Sequence, residues 1–352
     1  PVTVRFIDIT SFEGIRVYQR TAWFLLQKAV HDLYPECKLH IRHSIGPSGF
    51  YCEVEGFEEF DRTETDAIDK RMREIVAADL PIVRQKLLTS QVREIYAAQH
   101  ADDKIELLDT RPRLYSCLYT LGDMAGYFYG SLAPSTRYVD RFAIEPCYNG
   151  FCLTLPQRTA PDELPAHVKQ EQMFGIFREY QSWVGLMGVP TVGRLNAEVL
   201  AGNAGGLILV AEAFHERKFA EVADRIEEAN RTNGTRMVLI SGPSSSGKTT
   251  SAKRLAIQLG VLGLHPVLIS LDDYFVEREK TPRDENGEYD YEALEAIDLE
   301  LFNDHLRRLM AGESIDIPRY DFVTGRRTKH DAPLTLDERS ILIVEGIHGL
   351  NP

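Results

Sequence analysis

Little in this sequence ties it to an oxidising compartment or to a membrane. Its five cysteines, Cys37, Cys52, Cys117, Cys147 and Cys152, all lie in the first half and form no CxxC pair. An odd count in that pattern argues against a disulfide framework, and a reducing, cytoplasmic setting is expected. No apolar run approaches the ~20 residues that span a bilayer, so no membrane partner is expected. The opening PVTVRFIDIT has neither a leader pattern nor an initiator Met, and the chain is expected to begin inside a longer gene product. Basic charge is also short: 40 Lys and Arg stand against 53 Asp and Glu, a net charge of -13. That balance argues against a general nucleic-acid binder while leaving room for a local basic patch. Neither an internal repeat nor a low-complexity tract is present.

What remains is ordinary globular material. The chain has 352 residues, 43% hydrophobic and 26% charged, enough for two or three domains with separate cores. TAWFLLQKAVHDLYP reads as an amphipathic helix with Phe24, Leu25, Ala29 and Leu33 near one face, ended by Pro35. KLHIRHSIGPSGFYCEVEG reads as a hairpin around a Gly-Pro-Ser-Gly turn. Two helices follow, TETDAIDKRMREIVAADLP and SQVREIYAAQH. Short strands and turns are expected from Leu114 to Leu155. PQRTAPDELPAHVKQ, from Pro156, reads as a linker, and a long helix then ends at Asn233-Gly234. Beyond it the order changes to α/β: strand RMVLIS, helix KTTSAKRLAIQLG, strand PVLISL, a helix from Tyr291 to Gly312, short strand IDIPRY and buried strand SILIVEG. That order predicts a parallel sheet.

Within this half, GPSSSGKT, Gly242 to Thr249, fits G-x-x-x-x-G-K-[ST]. Glycines let backbone N–H groups close round an anion, and the following helix adds its N-terminal partial charge. Lys248 is placed to reach outer phosphates, and the Thr249 hydroxyl to meet Mg²⁺. The nucleotide-binding set is Gly242, Ser244, Ser245, Ser246, Gly247, Lys248, Thr249 and Thr250. A strand before the loop and a helix after it separate this reading from a chance Ser/Gly turn. Acids stand at two further strand ends: Asp272 and Asp273 after VLISL, and Glu345 in ILIVEG. Ligands of open α/β sheets bind at those ends, so both positions point at the phosphate site. Taken alone, each also fits a turn or an exposed strand end.

GPSSSGKTT, SLDDYF, YDYEALEAIDLELF, IPRYDF and IVEGIHGL, in that order, resemble the uridine kinase / phosphoribulokinase family of P-loop kinases. The resemblance covers roughly Arg236 to Pro352. It implies ATP and Mg²⁺ as cofactors and a small-molecule acceptor. It further implies that Asp272 activates the acceptor hydroxyl near the metal, that Glu345 is associated with Mg²⁺, that Asp290 binds ribose hydroxyls and that Tyr320 belongs to a nucleoside pocket. One departure is visible: where uridine kinases carry a base-contacting His after YDF, this chain has Gly325. Arg326 and Arg327 follow, read either as acceptor or phosphate contacts, Arg327 above all, or as a solvated basic turn. Only a short tail follows Glu345, whereas the family continues with further strands and an Arg-rich lid; a truncated parallel sheet in a fragment of a longer protein is expected.

The first half, AWFLLQKAVHDLYPECKLHIRHSIGPSGFYCEVE above all, resembles the second additional, editing-type domain of threonyl-tRNA synthetases. That implies an α+β fold over 11–155, preceded by a TGS-like remnant at 1–10 and followed by a helical linker over 156–235 and the kinase-like domain over 236–352. The editing family places an HxxxH pair on this helix; here those positions are Arg20 and Phe24, and of its later Cys/His pair at most Cys147 is retained. Loss of editing chemistry and a binding or regulatory role follow. A metal set of His40, His43, Cys147 and Cys152 competes with the plainer reading of scattered core and surface residues, which their spacing favours. The function expected is ATP-dependent phosphoryl transfer, best to a ribonucleoside 5′-hydroxyl. The alternatives are a sugar-phosphate kinase and a nucleotide-switched regulator that binds tRNA. Composition sets no oligomeric state.

Overall fold

The computed structural model describes residues 7–166, 168–285, 287–329 and 332–351. Residues 1–6 of the expected TGS-like remnant lie outside them. Contacts divide the chain into two units, Pro1–Ala204 and Gly205–Pro352.

The first unit runs α1 (Phe12–Leu33), β1 (Leu39–Ile45), β2 (Gly49–Val54), α2 (Arg62–Ala77), β3 (Ile82–Leu88), α3 (Thr89–Ala98), α4 (Asp102–Asp109), β4 (Tyr115–Leu121), β5 (Met124–Gly126), β6 (Ala143–Cys147), β7 (Gly150–Thr154), α5 (Glu171–Leu186) and α6 (Val192–Leu200). The expected hairpin is β1–β2. Two antiparallel sheets form, β1-β2-β7-β6 and β3-β4-β5. Helix α1 starts earlier than its apolar stripe suggests, because the Ser11 hydroxyl accepts from Gly14 N and caps it. Ala22, Phe24, Leu25 and Ala29 are buried in a core shared with Cys52, Phe151 and Leu153 of the first sheet. Leu33, expected on that face, is exposed in the last turn of the helix.

Residues 156–235 do not behave as one linker. Helix α5 docks by Phe174, which stacks on Tyr148 at 3.7 Å and meets Tyr51 edge-on at 4.9 Å. Helix α6 reaches α4 through Asn196 Nδ2 donating to Thr110 Oγ1. The long helix that follows, α7 (Ala204–Asn233), packs Phe219, Ala223 and Ile226 into a core of the second unit. It ends where expected, with Gly234 at φ +68°.

The second unit continues with β8 (Met237–Ser241), α8 (Lys248–Val261), β9 (His265–Ser270), α9 (Leu299–Met310), β10 (Pro318–Asp321), β11 (Arg326–Lys329) and β12 (Ser340–Gly346). The parallel sheet has the order β8-β12-β9. Strand β12 is buried along its whole length. Leu342 and Val344 pack on one side with Ile269, Leu271 and Tyr274, while Ile341 and Ile343 pack on the other with Ala223, Ala252 and Leu255. A run of apolar residues without alternation is what a strand covered on both faces requires. On β8, Met237 and Leu239 are exposed, as is Leu268 on β9.

Two expected elements are shorter. The helix expected from Tyr291 begins only at Leu299, because the Asp298 carboxylate accepts from Leu301 N and caps it. Ahead of it Ile297 bridges Phe275, and Ala296 is buried in the core. The IDIPRY strand reduces to β10, with Ile315 bridged to Leu334. Its partner β11 carries Arg326 and Arg327 on a strand, where the sequence suggests a turn or a ligand contact. Gly325 closes this hairpin at φ +70°, where a Cβ would lie 2.7 Å from Arg278. A side chain larger than hydrogen is therefore disfavoured at the position where the resemblance looks for a histidine.

Ile343→Ala on the central strand should cost about 2–5 kcal/mol, read as faster amide hydrogen exchange along Ser340–Gly346. The same change at exposed Ile257 on α8 should cost about 0.5 kcal/mol or less. Equal effects at the two sites would contradict the layer assignment.

Candidate functional site

The ends of three parallel strands bring the site together. Residues of β12 and its neighbours stand in register, Glu345 beside Ile240 and Ser270, and Gly346 beside Ser241. The phosphate loop leaves β8 after Ser241, whose hydroxyl donates to Ile347 O at 2.8 Å and pins the loop to the end of β12. A Cβ on Gly242 would lie 2.8 Å from Ser246 Oγ, so a larger residue there would require the Ser246 hydroxyl to turn away. Gly247, at φ +87°, caps α8 in the left-handed region. Ser245 also has positive φ, +58°, a strain that a non-glycine residue carries where the surrounding loop imposes it. Lys248 opens α8 and donates from Nζ to Pro243 O at 2.9 Å. Ser244, Ser246, Thr249 and Thr250 are exposed around the same turn.

Glu345 is the buried acid of the site, 6% exposed. Thr249 Oγ1 donates to its Oε1 at 3.0 Å, and Ser270 Oγ donates to the same oxygen at 2.9 Å. Asp272 N donates to Ser270 Oγ at 3.4 Å. Ser270 therefore links the two acids, and sequence reading missed it. The available signal was its place as the last residue of β9, level with Glu345. Asp272 stands at the rim, exposed as a residue. Desolvation of its carboxyl, then the charge of Glu345, push its pKa above the ordinary carboxylate value; Lys248 pulls it down and Asp273 adds to the rise. The donors Thr249, Asp272 and Glu345 are all oxygen, the hard set that suits Mg²⁺ rather than a soft metal. No group of three or more His, Cys, Asp or Glu able to hold an ion by itself occurs among the described residues.

Tyr320 comes to the same side, because its N donates to Asp273 Oδ1 at 3.4 Å. It is buried against Phe275 and Phe322, and its hydroxyl has no partner among the described residues. Asp290 precedes Tyr291, a member of this aromatic group, and its carboxylate accepts from Glu292 N at 2.9 Å. Arg327 is engaged elsewhere. Its guanidinium pairs with Asp298 at 2.8 Å and donates to Phe275 O at 2.7 Å. It ties the hairpin to the N-terminus of α9.

In the first unit the four residues weighed as a metal set do not converge. His40 faces Glu55 at 2.7 Å, and His43 stacks on Phe177 at 4.1 Å. Cys147 and Cys152 are buried on β6 and β7. Phe24 is core, packed 5.2 Å from Phe128, while Arg20 donates from Nε to Ser131 O at 3.0 Å.

A parallel sheet with a phosphate loop after its first strand and acids at the neighbouring strand ends gives the second unit the arrangement of a P-loop domain. Residues 237–351 match the model of the Phosphoribulokinase / Uridine kinase family. A uridine kinase of Schizosaccharomyces pombe is 38% identical over 117 residues, 33% of this chain and 25% of that protein. Threonine–tRNA ligase 1 of Bacillus subtilis is 32% identical over 146 residues, 40% of this chain and 22% of that protein, in the N-terminal region. The chain thus spans about a quarter or less of the length of these curated relatives. Among solved structures, a possible uridine kinase from Bacillus stearothermophilus is 30% identical, covering 36% of this chain and 71% of that one at a TM-score of 0.28.

The raised pKa of Asp272 sets a test in two directions. The folded state holds this proton more tightly than the unfolded chain, so its contribution favours folding at low pH and is lost as pH rises through the raised value. Asp272→Asn should therefore be no less stable than the parent at pH 7 by thermal unfolding, while phosphoryl transfer falls by about 10²–10⁴-fold. A variant that loses stability at pH 7 but keeps activity would contradict the placement of Asp272 in the site.

Proposed function

We propose that the second unit transfers a phosphoryl group from ATP to a hydroxyl of a small molecule, best a ribonucleoside 5′-hydroxyl, in the cytoplasm. The observation that carries this reading is the link from Thr249 through Glu345 and Ser270 to Asp272, made directly beside the phosphate loop. The N–H groups of Gly242 to Thr249 hold phosphate oxygens, and Lys248 leaves Pro243 O to neutralise the outer phosphates. Thr249, Glu345 and Asp272 would hold Mg²⁺, which would supply positive charge to offset that developing on the transferred phosphoryl group. Asp272 also orients the attacking hydroxyl and accepts its proton, a task its raised pKa suits.

The acceptor lies against Tyr320, Tyr291 and Phe275, with Asp290 at the edge to take sugar hydroxyls. The unpartnered Tyr320 hydroxyl is a further hydrogen-bonding group on that wall. A second reading keeps the reaction and changes the acceptor to a phosphorylated sugar. It is favoured by Gly325, whose turn geometry leaves no side chain to contact a base.

A panel of nucleosides and sugar phosphates assayed with the full chain separates these acceptors. One strong acceptor is expected, and Lys248→Ala should lower its turnover by about 10²–10³-fold. ATP consumed at the same rate with and without every acceptor would remove the kinase reading.

A further inference from the structure

One stripe of α1, Arg16, Arg20, Trp23 and Gln27, recurs at helical spacing and forms a wall of a hollow of about 880 Å³ in the first unit. Strand β1 forms a second wall through His40 to Ser44, and the aromatic run Tyr127 to Tyr129 a third. None of the described residues lining it is a carboxylate, in a chain that carries 53 of them. A neighbouring hollow of about 480 Å³ shares Tyr127, Phe128 and Tyr129 and is lined by Arg84, Lys86, Arg111 and Arg113, again without an acid.

Some of these cations are already neutralised: Arg42 by Glu53 at 2.7 Å, and Lys104 by Asp103 at 2.7 Å. Arg16 and Arg20 pair with no carboxylate among the described residues. Arg20 is also held in place. Its Nε is fixed by Ser131 O, and its guanidinium lies against Gly130, where a Cβ would stand 2.9–3.1 Å from it. Desolvation lowers the Arg20 pKa; Tyr119 works against this and the like charge of Arg16 adds to it. On the same wall the indole N–H of Trp23 is buried without a partner among the described residues, and its ring meets Phe50 edge-on at 5.1 Å. A buried donor left unmade costs stability unless something accepts from it.

Two cations without a countercharge, set beside exposed and half-buried rings, complement an anion joined to a flat ring. We propose that this hollow binds a nucleotide, its phosphate on Arg16 and Arg20 and its ring against Trp23, Phe128 and Tyr129. The volume is that of a pocket for a ligand of this size. This inference does not rest on the kinase reading of the other unit.

Trp23 is one of two tryptophans, the other being Trp183, so its fluorescence can report binding. The full chain carrying Trp183→Phe and Lys248→Ala leaves Trp23 as the sole reporter and disables the phosphate loop. UMP, AMP, inorganic phosphate and a single-stranded RNA octamer are titrated without Mg²⁺. Saturable quenching by a mononucleotide is expected, with affinity falling about tenfold or more in Arg20→Met. Tyr129→Ala, at an exposed position where folding is not at stake, should weaken binding about fivefold or more. An octamer that binds at least tenfold tighter than either mononucleotide, with the same Arg20 dependence, assigns the nucleotide to an RNA end instead of a free molecule. Binding unchanged in both variants, or no quenching by nucleotide or RNA, overturns the proposal.

Discussion

The second unit depends on one carboxylate at the end of a buried strand. Glu345 can sit at 6% exposure only because two hydroxyls, from Thr249 and Ser270, donate to it. One belongs to the first turn of α8 and the other to the last residue of β9. The acid therefore ties the phosphate loop to the Asp272 turn across the central strand. The apolar packing on both faces of β12 holds the tie in place. Removing either hydroxyl would leave a buried carboxylate short of donors, and the cost would fall on site geometry before it fell on the fold.

The two units solve opposite electrostatic problems. In the second, burial of the Asp272 carboxyl and then the charge of Glu345 raise its pKa, with Lys248 acting against the rise. In the first, cations line two hollows without acids. Where that unit does bury a cation, it supplies partners: Lys28 is held by Asp32 and by Asp123 at 2.8 Å. Arg20, half-buried, has no such carboxylate among the described residues.

Much of the fold was legible in the sequence because its signals are local. SILIVEG announces a strand covered on both faces, GPSSSGKT a phosphate loop whose Gly247 takes the left-handed turn into α8, and Asn233-Gly234 a helix end. What escaped depended on partners distant in sequence. YEALEAID has helical spacing, yet Ile297 is claimed by Phe275 and Asp298 is a cap, so the helix starts late. The ion pair of Arg327 with Asp298 joins two elements and leaves no local signal. Ser270 carries no motif and is recognised only through the strand register that sets it beside Glu345. In the first unit the departures at Arg20 and Phe24 were visible, whereas the aromatic wall facing Arg20 comes from residues 127–129, far along the chain.

The most direct test of the central claim is the Mg²⁺ dependence of binding of a non-hydrolysable ATP analogue, compared between the full chain and Glu345→Gln. The substitution keeps the shape of the side chain and removes the charge at the buried end of β12. The account predicts that Mg²⁺ tightens binding to the parent chain and does so far less in the variant, while metal-free binding by the loop and Lys248 stays unchanged. Equal tightening by Mg²⁺ in both proteins would contradict it.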